Sequence, residues 1–326
     1  MLDACQRNIN YLRISVTDRC NLRCVYCMPA EGVNHIPHEE ILTIEEMETL
    51  VQAAAGVGIR KVRLTGGEPL VRKGVVKLIR SVADVETIDD IAITTNGMLL
   101  EQLGPQLREA GLRRVNISLD TLNHRRFKEI TRVGRLQDVK NGIETALKLG
   151  LHPVKLNAVV VRGVNDDEII DLAKLAVDYP LHMRFIELMP IGQSDSLVKS
   201  GFVSAQEVSI AVEAGLGKLQ PVNKPTGAGP ASYYRIGNAP GTIGFITAIS
   251  NHFCTACNRL RLTATGSIRP CLYSDRELDI KTPLRSGASL LELSRQFVKA
   301  AKVKPNRHNM SGGWKDKTKL MSQIGG

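Results

Sequence analysis

Residues 61–69 read Lys-Val-Arg-Leu-Thr-Gly-Gly-Glu-Pro, a short alternating run that leads directly into two adjacent glycines. The alternation predicts a strand over 61–65, and the glycines predict a tight turn at its end. A helix is expected next, over 73–84. This strand–turn–helix unit recurs along the first part of the chain, so the fold can be worked out from this stretch in both directions.

The recurrence predicts an α/β fold built on a parallel sheet, because strands alternate with helices. Strands are expected at 9–16, 61–65, 88–95, 114–119, 153–161 and 182–188, with helices over 44–57, 73–84, 99–110, 124–149 and 167–178. Six such units with right-handed crossovers are too few for a closed eight-stranded barrel. We therefore predict an open, partial TIM-like β/α barrel, with functional residues at the C-terminal ends of its strands.

The alternation stops after Pro190, and the composition changes. Residues 191–231 are rich in Gly, Ser and Pro, which predicts a loop or linker. Short strand-like runs at 233–236, 242–247 and 259–265 and a helix over 288–302 then indicate a smaller α+β domain. The predicted organisation is a barrel over 1–190, a loop over 191–231 and a C-terminal domain over 232–326 that ends in Gly325-Gly326.

The charge balance narrows the class of ligand. The chain has 43 Lys and Arg against 33 Asp and Glu, a formal charge of +10. Alone, this charge fits a basic surface, a nucleic acid, an anionic membrane or a phosphorylated small molecule. The basic residues are dispersed and aromatics make up only 4% of the chain, so nucleic acid is not expected as a partner.

The sequence also predicts a cytoplasmic protein with no membrane partner. No run of about 18 apolar residues is present, as a transmembrane helix would require. Residues 1–11 hold no apolar core of a signal peptide.

Six of the seven cysteines form two triplets, C-x3-C-x2-C at Cys20, Cys24 and Cys27, and C-x2-C-x13-C at Cys254, Cys257 and Cys271. Clustered cysteines in a cytosolic chain indicate metal binding rather than disulfides. At the first triplet zinc would need a fourth ligand, such as His35 or His38, whereas an iron–sulfur cluster on three thiolates has one iron open to a small molecule. Taken in isolation, the second triplet favours zinc, with His252 as fourth ligand.

The first triplet, with Tyr26 before its third cysteine, resembles the radical S-adenosylmethionine superfamily. Gly66-Gly67-Glu68-Pro69 strengthens the resemblance, because glycines let the backbone approach a ligand closely. Beside these motifs, the second triplet is interpreted as a second iron–sulfur site. The whole chain resembles the GTP 3′,8-cyclase family of molybdenum cofactor biosynthesis protein A, through residues 13–20, 63–69, 94–97, 116–120, 185–190, 257–263 and the terminal Gly-Gly.

The resemblance implies a lyase that cyclises GTP to (8S)-3′,8-cyclo-7,8-dihydroguanosine 5′-triphosphate, an early step of molybdopterin synthesis. A 5′-deoxyadenosyl radical would remove the 3′ hydrogen of GTP, so no side-chain acid or base is required for that step. The implied cofactors are S-adenosylmethionine and two [4Fe–4S] clusters, one on each triplet. The open iron of the second cluster would meet the guanine.

Individual roles also follow from the resemblance. The positions that match S-adenosylmethionine contacts are Tyr26, Gly67, Ser118 and Met189. Those that match GTP contacts are Arg13, Lys61, Arg63, Thr94, Lys155 and Arg184, with Arg259 and Arg261 on the guanine. The tail Gly325-Gly326 would enter the active site.

The implied partners are GTP, a second copy of the chain in a homodimer, and cyclic pyranopterin monophosphate synthase as recipient of the product. The electron donor is not indicated. One alternative is a radical S-adenosylmethionine enzyme that has an auxiliary cluster and acts on a peptide, although three C-terminal cysteines are few for that class. Another is a zinc-dependent nucleic-acid-binding protein, which metal content would distinguish.

Overall fold

The computed structural model describes residues 1–34, 36–191, 195–223, 225, 227, 229–308, 310 and 320–324. The strands are β1 Tyr11–Ser15, β2 Lys61–Thr65, β3 Asp90–Thr95, β4 Arg114–Ser118, β5 Lys155–Val160, β6 His182–Glu187, β7 Leu219–Pro221, β8 Ser232–Ile236, β9 Thr242–Ile246, β10 Arg259–Leu262, β11 Ser267–Arg269 and β12 Leu278–Asp279. The helices are α1 Ile44–Ala55, α2 Val75–Ala83, α3 Leu100–Glu109, α4 His124–Thr131, α5 Leu136–Lys148, α6 Ile169–Asp178, α7 Asp195–Gly201, α8 Ala205–Leu216, α9 Lys281–Arg285 and α10 Leu290–Lys302.

All twelve strands belong to one sheet, in the order β12-β11-β10-β1-β2-β3-β4-β5-β6-β9-β8-β7. Strands β1 to β6 run parallel in sequence order, each joined to the next by a crossover that contains a helix. Within the described sheet β1 and β6 do not pair with each other, so the barrel is open. The predicted six-unit open α/β barrel is confirmed.

The C-terminal strands extend the barrel sheet at both of its edges. β10 pairs in parallel with β1, with Tyr11 opposite Arg259, and β9 pairs in parallel with β6, with His182 opposite Thr242. Residues 232–326 therefore contribute strands to the same sheet as the barrel. The boundaries at 190 and 232 stay a prediction.

The expectation of a loop over 191–231 is wrong, because α7, α8 and β7 lie in that range. The start of α8 is a capping box: Ser204 Oγ accepts from the Glu207 backbone N–H, and the Glu207 carboxylate accepts from the Ser204 N–H. This Ser-x-x-Glu signal is visible in the sequence and predicts a helix start. The single helical region expected over 124–149 is two helices, separated by a turn in which Arg132 and Gly134 have positive φ.

Side chains on the barrel strands alternate between two environments. On β1 and β2, Leu12, Ile14, Val62 and Leu64 are fully buried in the apolar core. The residues between them point to the other face of the sheet, since successive strand side chains alternate. Parallel strands covered on both faces are usually apolar on both. Here the inward positions include arginine and threonine, so the barrel interior is built to hold a polar ligand.

No helix among the described residues has both the length and the apolar character needed to span a membrane.

Gly142 in α5 lies against the turn that follows β3, so its substitution tests this packing. A Cβ at Gly142 would lie 2.2 Å from the Gly97 carbonyl oxygen, which is backbone and cannot rotate away. Gly142→Ala should therefore lower the free energy of unfolding by about 1–3 kcal/mol, although alanine is normally the better helix former. Urea denaturation of the metal-free protein measures the change.

Gly104→Ala is the matched control, because Gly104 lies in α3 and its added Cβ would meet only the flexible side chains of Leu149 and Thr145. We expect Gly104→Ala to lower the free energy of unfolding by less than Gly142→Ala does. Equal losses at the two positions would contradict the assigned backbone clash.

Candidate active site

The two cysteine triplets line one cavity of about 340 Å³, although they come from opposite ends of the chain. The inward face of the sheet forms its wall. The first triplet follows β1, Cys254 and Cys257 precede β10, and Cys271 follows β11. The pairing of β10 with β1 brings these loops to neighbouring strands. The structure thus brings all six predicted cluster ligands together.

The first triplet lies in a loop held by backbone bonds to the end of α4. The N–H groups of Arg23 and Val25 donate to the carbonyls of Thr131 and Ile130, at 3.0 and 2.9 Å. Burial raises the pKa of Cys20 to about 11 and that of Cys27 to about 12. Buried thiols of this kind ionise only beside a strong positive charge, which iron supplies. The three thiols therefore suit an iron–sulfur cluster.

The second triplet has a different electrostatic environment. Burial raises the pKa of Cys257, but the charges of Arg259 and Lys304 outweigh it and bring the value down to about 6. The Arg259 guanidinium also lies 5.0 Å from the centre of the Phe253 ring. A thiolate is thus favoured at Cys257 even before a metal binds.

Within the described residues, no three His, Cys, Asp or Glu side chains converge as they would around a single metal ion. A [4Fe–4S] cluster has several irons, and its thiolates need not meet at one point.

The glycine motif after β2 packs tightly against the first triplet's loop. A Cβ on Gly66 would lie 2.3 Å from the Thr17 carbonyl oxygen, and one on Gly67 would lie 2.3 Å from that of Arg19. Gly66 also has φ +146°, a conformation that side chains disfavour. Glycine is therefore required at both positions for the backbone to reach the cavity wall beside the cysteines.

Glu68 of the same motif acts on the loop after β3. Its buried carboxylate accepts from the backbone N–H of Leu70 and Asn96 and from the Thr95 hydroxyl, at 2.7 to 3.0 Å. The Asn96 side-chain amide in turn donates to the side-chain oxygen of Asn21, in the loop that carries the first triplet, at 2.7 Å. Burial raises the pKa of Glu68 and the hydrogen bonds offset part of that rise, so the value is about 7. Glu68 thus connects two loops that face the cavity.

All four predicted S-adenosylmethionine residues line the cavity, namely Tyr26, Gly67, Ser118 and Met189. The Tyr26 hydroxyl donates to the Asp120 carboxylate, whose other oxygen accepts from the Val159 N–H at 2.8 Å. Asp120 therefore holds Tyr26 in place from the end of β4.

Six of the eight predicted GTP residues line the same cavity: Arg13, Arg63, Thr94, Arg184, Arg259 and Arg261. Lys61 instead lines an adjoining pocket that shares Arg259 with the cavity. Lys155 lines neither; it is buried, and its ammonium lies 5.7 Å from the centre of the Tyr233 ring. It lies two residues before Asn157 on β5, which lines the cavity, so Lys155 shares the inward face of the strand although it is not itself part of the lining.

The cationic wall contains donors that have no acceptor in the described structure: Nε and Nη2 of Arg63, Nε of Arg184 and the Thr94 hydroxyl. Burial, together with other arginines, lowers the pKa of Arg63 and that of Arg261 to about 10. Buried donors without acceptors are costly, and arginine forks match phosphate oxygens. The cavity wall is therefore complementary to a polyanion.

Sequence reasoning did not assign a role to Glu187 or Lys304, which also line the cavity. Buried Glu187 accepts from the N–H groups of Ala205, Ile249 and Ser250, which holds the start of α8 and the loop before the second triplet. The sequence feature that could have indicated a role for Glu187 is its place in the 185–190 motif. No sequence feature distinguishes Lys304 from the other lysines of the basic tail.

The C-terminal tail reaches the cavity. Met321 lines it, and Ile324 is fully buried beside Ile191, with Met189 and Tyr273 packed against the pair. The predicted tail residues Gly325 and Gly326 lie outside the described residues, as does His35.

The pKa of His182 reflects the positive charges of Lys155 and Arg184. Its Nδ1 lies 2.6 Å from the Thr242 hydroxyl, and burial, followed by the charges of Lys155 and Arg184, lowers its pKa to about 4. An unfolded imidazole has a pKa of about 6.5, so the unfolded chain binds more protons between these values. Stability from the neutral imidazole is complete above pH ~6.5 and is lost as the pH falls toward ~4.

Replacing His182 by Asn should therefore reduce the stability difference between about pH 7 and about pH 5, measured by urea denaturation of the metal-free protein. His124→Asn, an exposed position on α4, is the control and should leave the difference unchanged. If the stability of the His182→Asn variant changes with pH as much as that of the parent, the lowered pKa assigned to His182 is wrong.

The chain is similar to known proteins over its whole length. A model of the radical SAM superfamily matches residues 14–176, and a model named Molybdenum Cofactor Synthesis C matches residues 181–310. Curated GTP 3′,8-cyclases from Pelotomaculum thermopropionicum and Desulforamulus reducens are 58% and 56% identical to the chain. Each match covers the full length of this chain and of the relative.

Among solved structures, Streptococcus suis SuiB is similar in fold. Bound to its precursor peptide SuiA it has a TM-score of 0.59 at 17% identity, over 88% of this chain and 66% of that one. Bound to S-adenosylmethionine it has a TM-score of 0.59 at 16% identity, over 89% and 68%. At such low identity the likeness shows the fold alone.

These findings confirm the resemblance predicted from the motifs, the expected enzyme class, and the expected cofactors, S-adenosylmethionine and [4Fe–4S] clusters. Full-length identity above one half, with both domain models matched in order, leaves one assignment: the chain belongs to the GTP 3′,8-cyclase family of radical S-adenosylmethionine enzymes.

Proposed function

We propose that this chain cyclises GTP to (8S)-3′,8-cyclo-7,8-dihydroguanosine 5′-triphosphate, the lyase reaction of its family, inside the cavity that both cysteine triplets line. One observation carries the proposal: six thiols share a single cavity with a wall of arginines, of which Arg63 and Arg184 have donors without acceptors in the described structure. Neither a peptide nor a nucleic acid is needed to explain that combination, whereas a nucleoside triphosphate supplies the missing acceptors.

In this proposal, Cys20, Cys24 and Cys27 hold the first [4Fe–4S] cluster, and Cys254, Cys257 and Cys271 hold the second. When bound, the first cluster and S-adenosylmethionine supply the radical that removes the 3′ hydrogen of GTP. The protein positions the reactants and excludes water.

Four residues would hold S-adenosylmethionine. Gly67 presents bare backbone to the ligand, because its position next to Arg19 leaves no space for a side chain. Tyr26 contacts the ligand from a position held by Asp120. Ser118, at the end of β4, and Met189, after β6, complete the set from the cavity wall.

The cationic wall would orient GTP. Arg259 and Arg261, on β10 beside the second triplet, would bind the guanine. Arg13, Arg63, Arg184 and Lys61 would bind the triphosphate, with Thr94 as a further contact. Lys155, on the inward face at the start of β5, would act through its charge. Because arginine keeps its proton at neutral pH, these groups bind and orient GTP and transfer no proton.

The remaining proposals rest on the sequence, for the location, and on the family resemblance, for the partners and the tail. The enzyme would be a cytoplasmic homodimer that passes its product to cyclic pyranopterin monophosphate synthase. The tail residues Gly325 and Gly326 would enter the active site beyond the buried Ile324.

The reconstituted enzyme should form 5′-deoxyadenosine from S-adenosylmethionine much faster with GTP present than without it, and should consume GTP in parallel. Chromatography of anaerobic reactions with a chemical reductant measures both. Slow cleavage indifferent to GTP would keep the radical chemistry but reject the substrate, and would favour the peptide-modifying alternative. Zinc without iron in the purified protein would reject both.

Arg63→Leu should raise the KM for GTP at least tenfold, because it removes buried donors aimed at the triphosphate; each lost charged hydrogen bond costs about 1.5–3 kcal/mol. Steady-state kinetics at saturating S-adenosylmethionine measures the change. Arg113→Leu, which removes the same charge from an exposed position before β4, should leave KM unchanged. Equal effects from the two variants would mean that net charge matters rather than contact.

A further inference from the structure

Lys304 is a buried cation that the proposed mechanism does not use. It follows α10, its side chain is 5% exposed, and it lines the cavity. Its ammonium donates to the Arg259 carbonyl at 2.9 Å and to the Pro270 carbonyl at 2.6 Å. Arg259 lies two residues after Cys257, and Pro270 directly precedes Cys271. One side chain therefore connects the two segments that carry these cysteines.

The ammonium of Lys304 lies beside the second triplet. Lys304 and the three cysteines line the same cavity, and its two carbonyl partners flank Cys257 and Cys271. Its positive charge favours the thiolate form at Cys257, whose pKa it helps to lower. Lys304 thus combines a backbone tether with a charge held beside these cysteines.

The N-terminal segment fixes the chain around Lys304. The Arg7 guanidinium donates to the carbonyls of Pro305 and Asn306, at 2.8 and 2.9 Å, and to that of Cys254, at 2.8 Å. Arg7 is itself held by a buried ion pair with Asp3, at 2.6 Å. The residues that follow Lys304 and the first cysteine of the triplet are therefore attached to one rigid group, and the ammonium cannot easily move away from the thiolates.

We propose that Lys304 is a positioning residue that raises the reduction potential of the second cluster. Reduction adds negative charge to a cluster, so an adjacent ammonium stabilises the reduced form. Hydrogen bonds to the sulfur atoms and the net charge nearby are among the factors that set the potential of iron–sulfur clusters. The inference rests on the proposed assignment of a cluster to Cys254, Cys257 and Cys271.

The test uses a full-length chain in which Cys20, Cys24 and Cys27 are replaced by Ala, so that only the second cluster can form. A redox titration followed by electron paramagnetic resonance gives its midpoint potential. Lys304→Met should shift the potential to a more negative value. Lys302→Met, which removes the same charge from an exposed position at the end of α10, should not shift it.

Two further variants separate charge from tethering. Lys304→Arg keeps the charge and should restore the potential toward that of the parent. Lys304→Gln keeps N–H donors without charge and should resemble Lys304→Met. If the Met and Gln variants lose the cluster while the Arg variant keeps it at the parent potential, the requirement for the charge is supported.

Two results would overturn the proposal: the same potential in the Met and Gln variants as in the parent, or loss of the cluster from all three variants, Arg included. Iron analysis of the parent tests the underlying assignment separately. If the parent binds no iron, the second cluster itself is wrongly assigned, whatever the role of Lys304.

Discussion

The structure depends on positive charge buried inside an open barrel. Arg63 and Arg184 point inward from β2 and β6, each is at most 6% exposed, and both have donors without an acceptor in the described structure. Removing a charge from water without a partner costs several kcal/mol per ion. The lowered pKa of Arg63 expresses that cost. A chain that retains such an interior does so because a polyanion completes it, and a nucleoside triphosphate fits this requirement.

Carboxylates are used elsewhere, as acceptors that fix the loops around the cavity. Glu68 binds the loop after β3, Asp120 holds Tyr26 and the end of β5, and Glu187 holds the loop before the second triplet. Each is buried and accepts backbone N–H groups, so each satisfies polar groups that the loops would otherwise leave unpaired. Negative charge is thus used in backbone hydrogen bonds at the strand ends, and the inward faces of the strands remain cationic.

The second triplet is held in place because C-terminal segments of the chain pack against its N-terminal part. β10 pairs with β1, and the segment after α10 is attached to the N-terminal segment through Arg7. The two ends of the sequence thereby form a single support for Cys254, Cys257 and Cys271. The tail then continues to the first triplet's side of the cavity, where Ile324 packs near Met189. The cavity is closed by contacts between segments that are distant in sequence.

The sequence by itself determined the local units and the chemistry. Alternating strands and helices predicted the open barrel, the cysteine spacings predicted two metal sites, and the glycine motif predicted a close approach of backbone to ligand. These features follow from residue type and short-range spacing. The capping box at Ser204 was equally local, and it would have predicted α8 within the range that we expected to be a loop.

Only the tertiary structure decided which segments meet. It placed the two triplets in one cavity, extended the sheet through β9 and β10, put Lys155 against Tyr233 and brought Lys304 to the segments that carry Cys257 and Cys271. Parallel pairing is made by backbone hydrogen bonds, which carry no side-chain signature, and register alone determines which side chains face each other. A buried lysine and an exposed one are the same letter in the sequence, and packing alone distinguishes them.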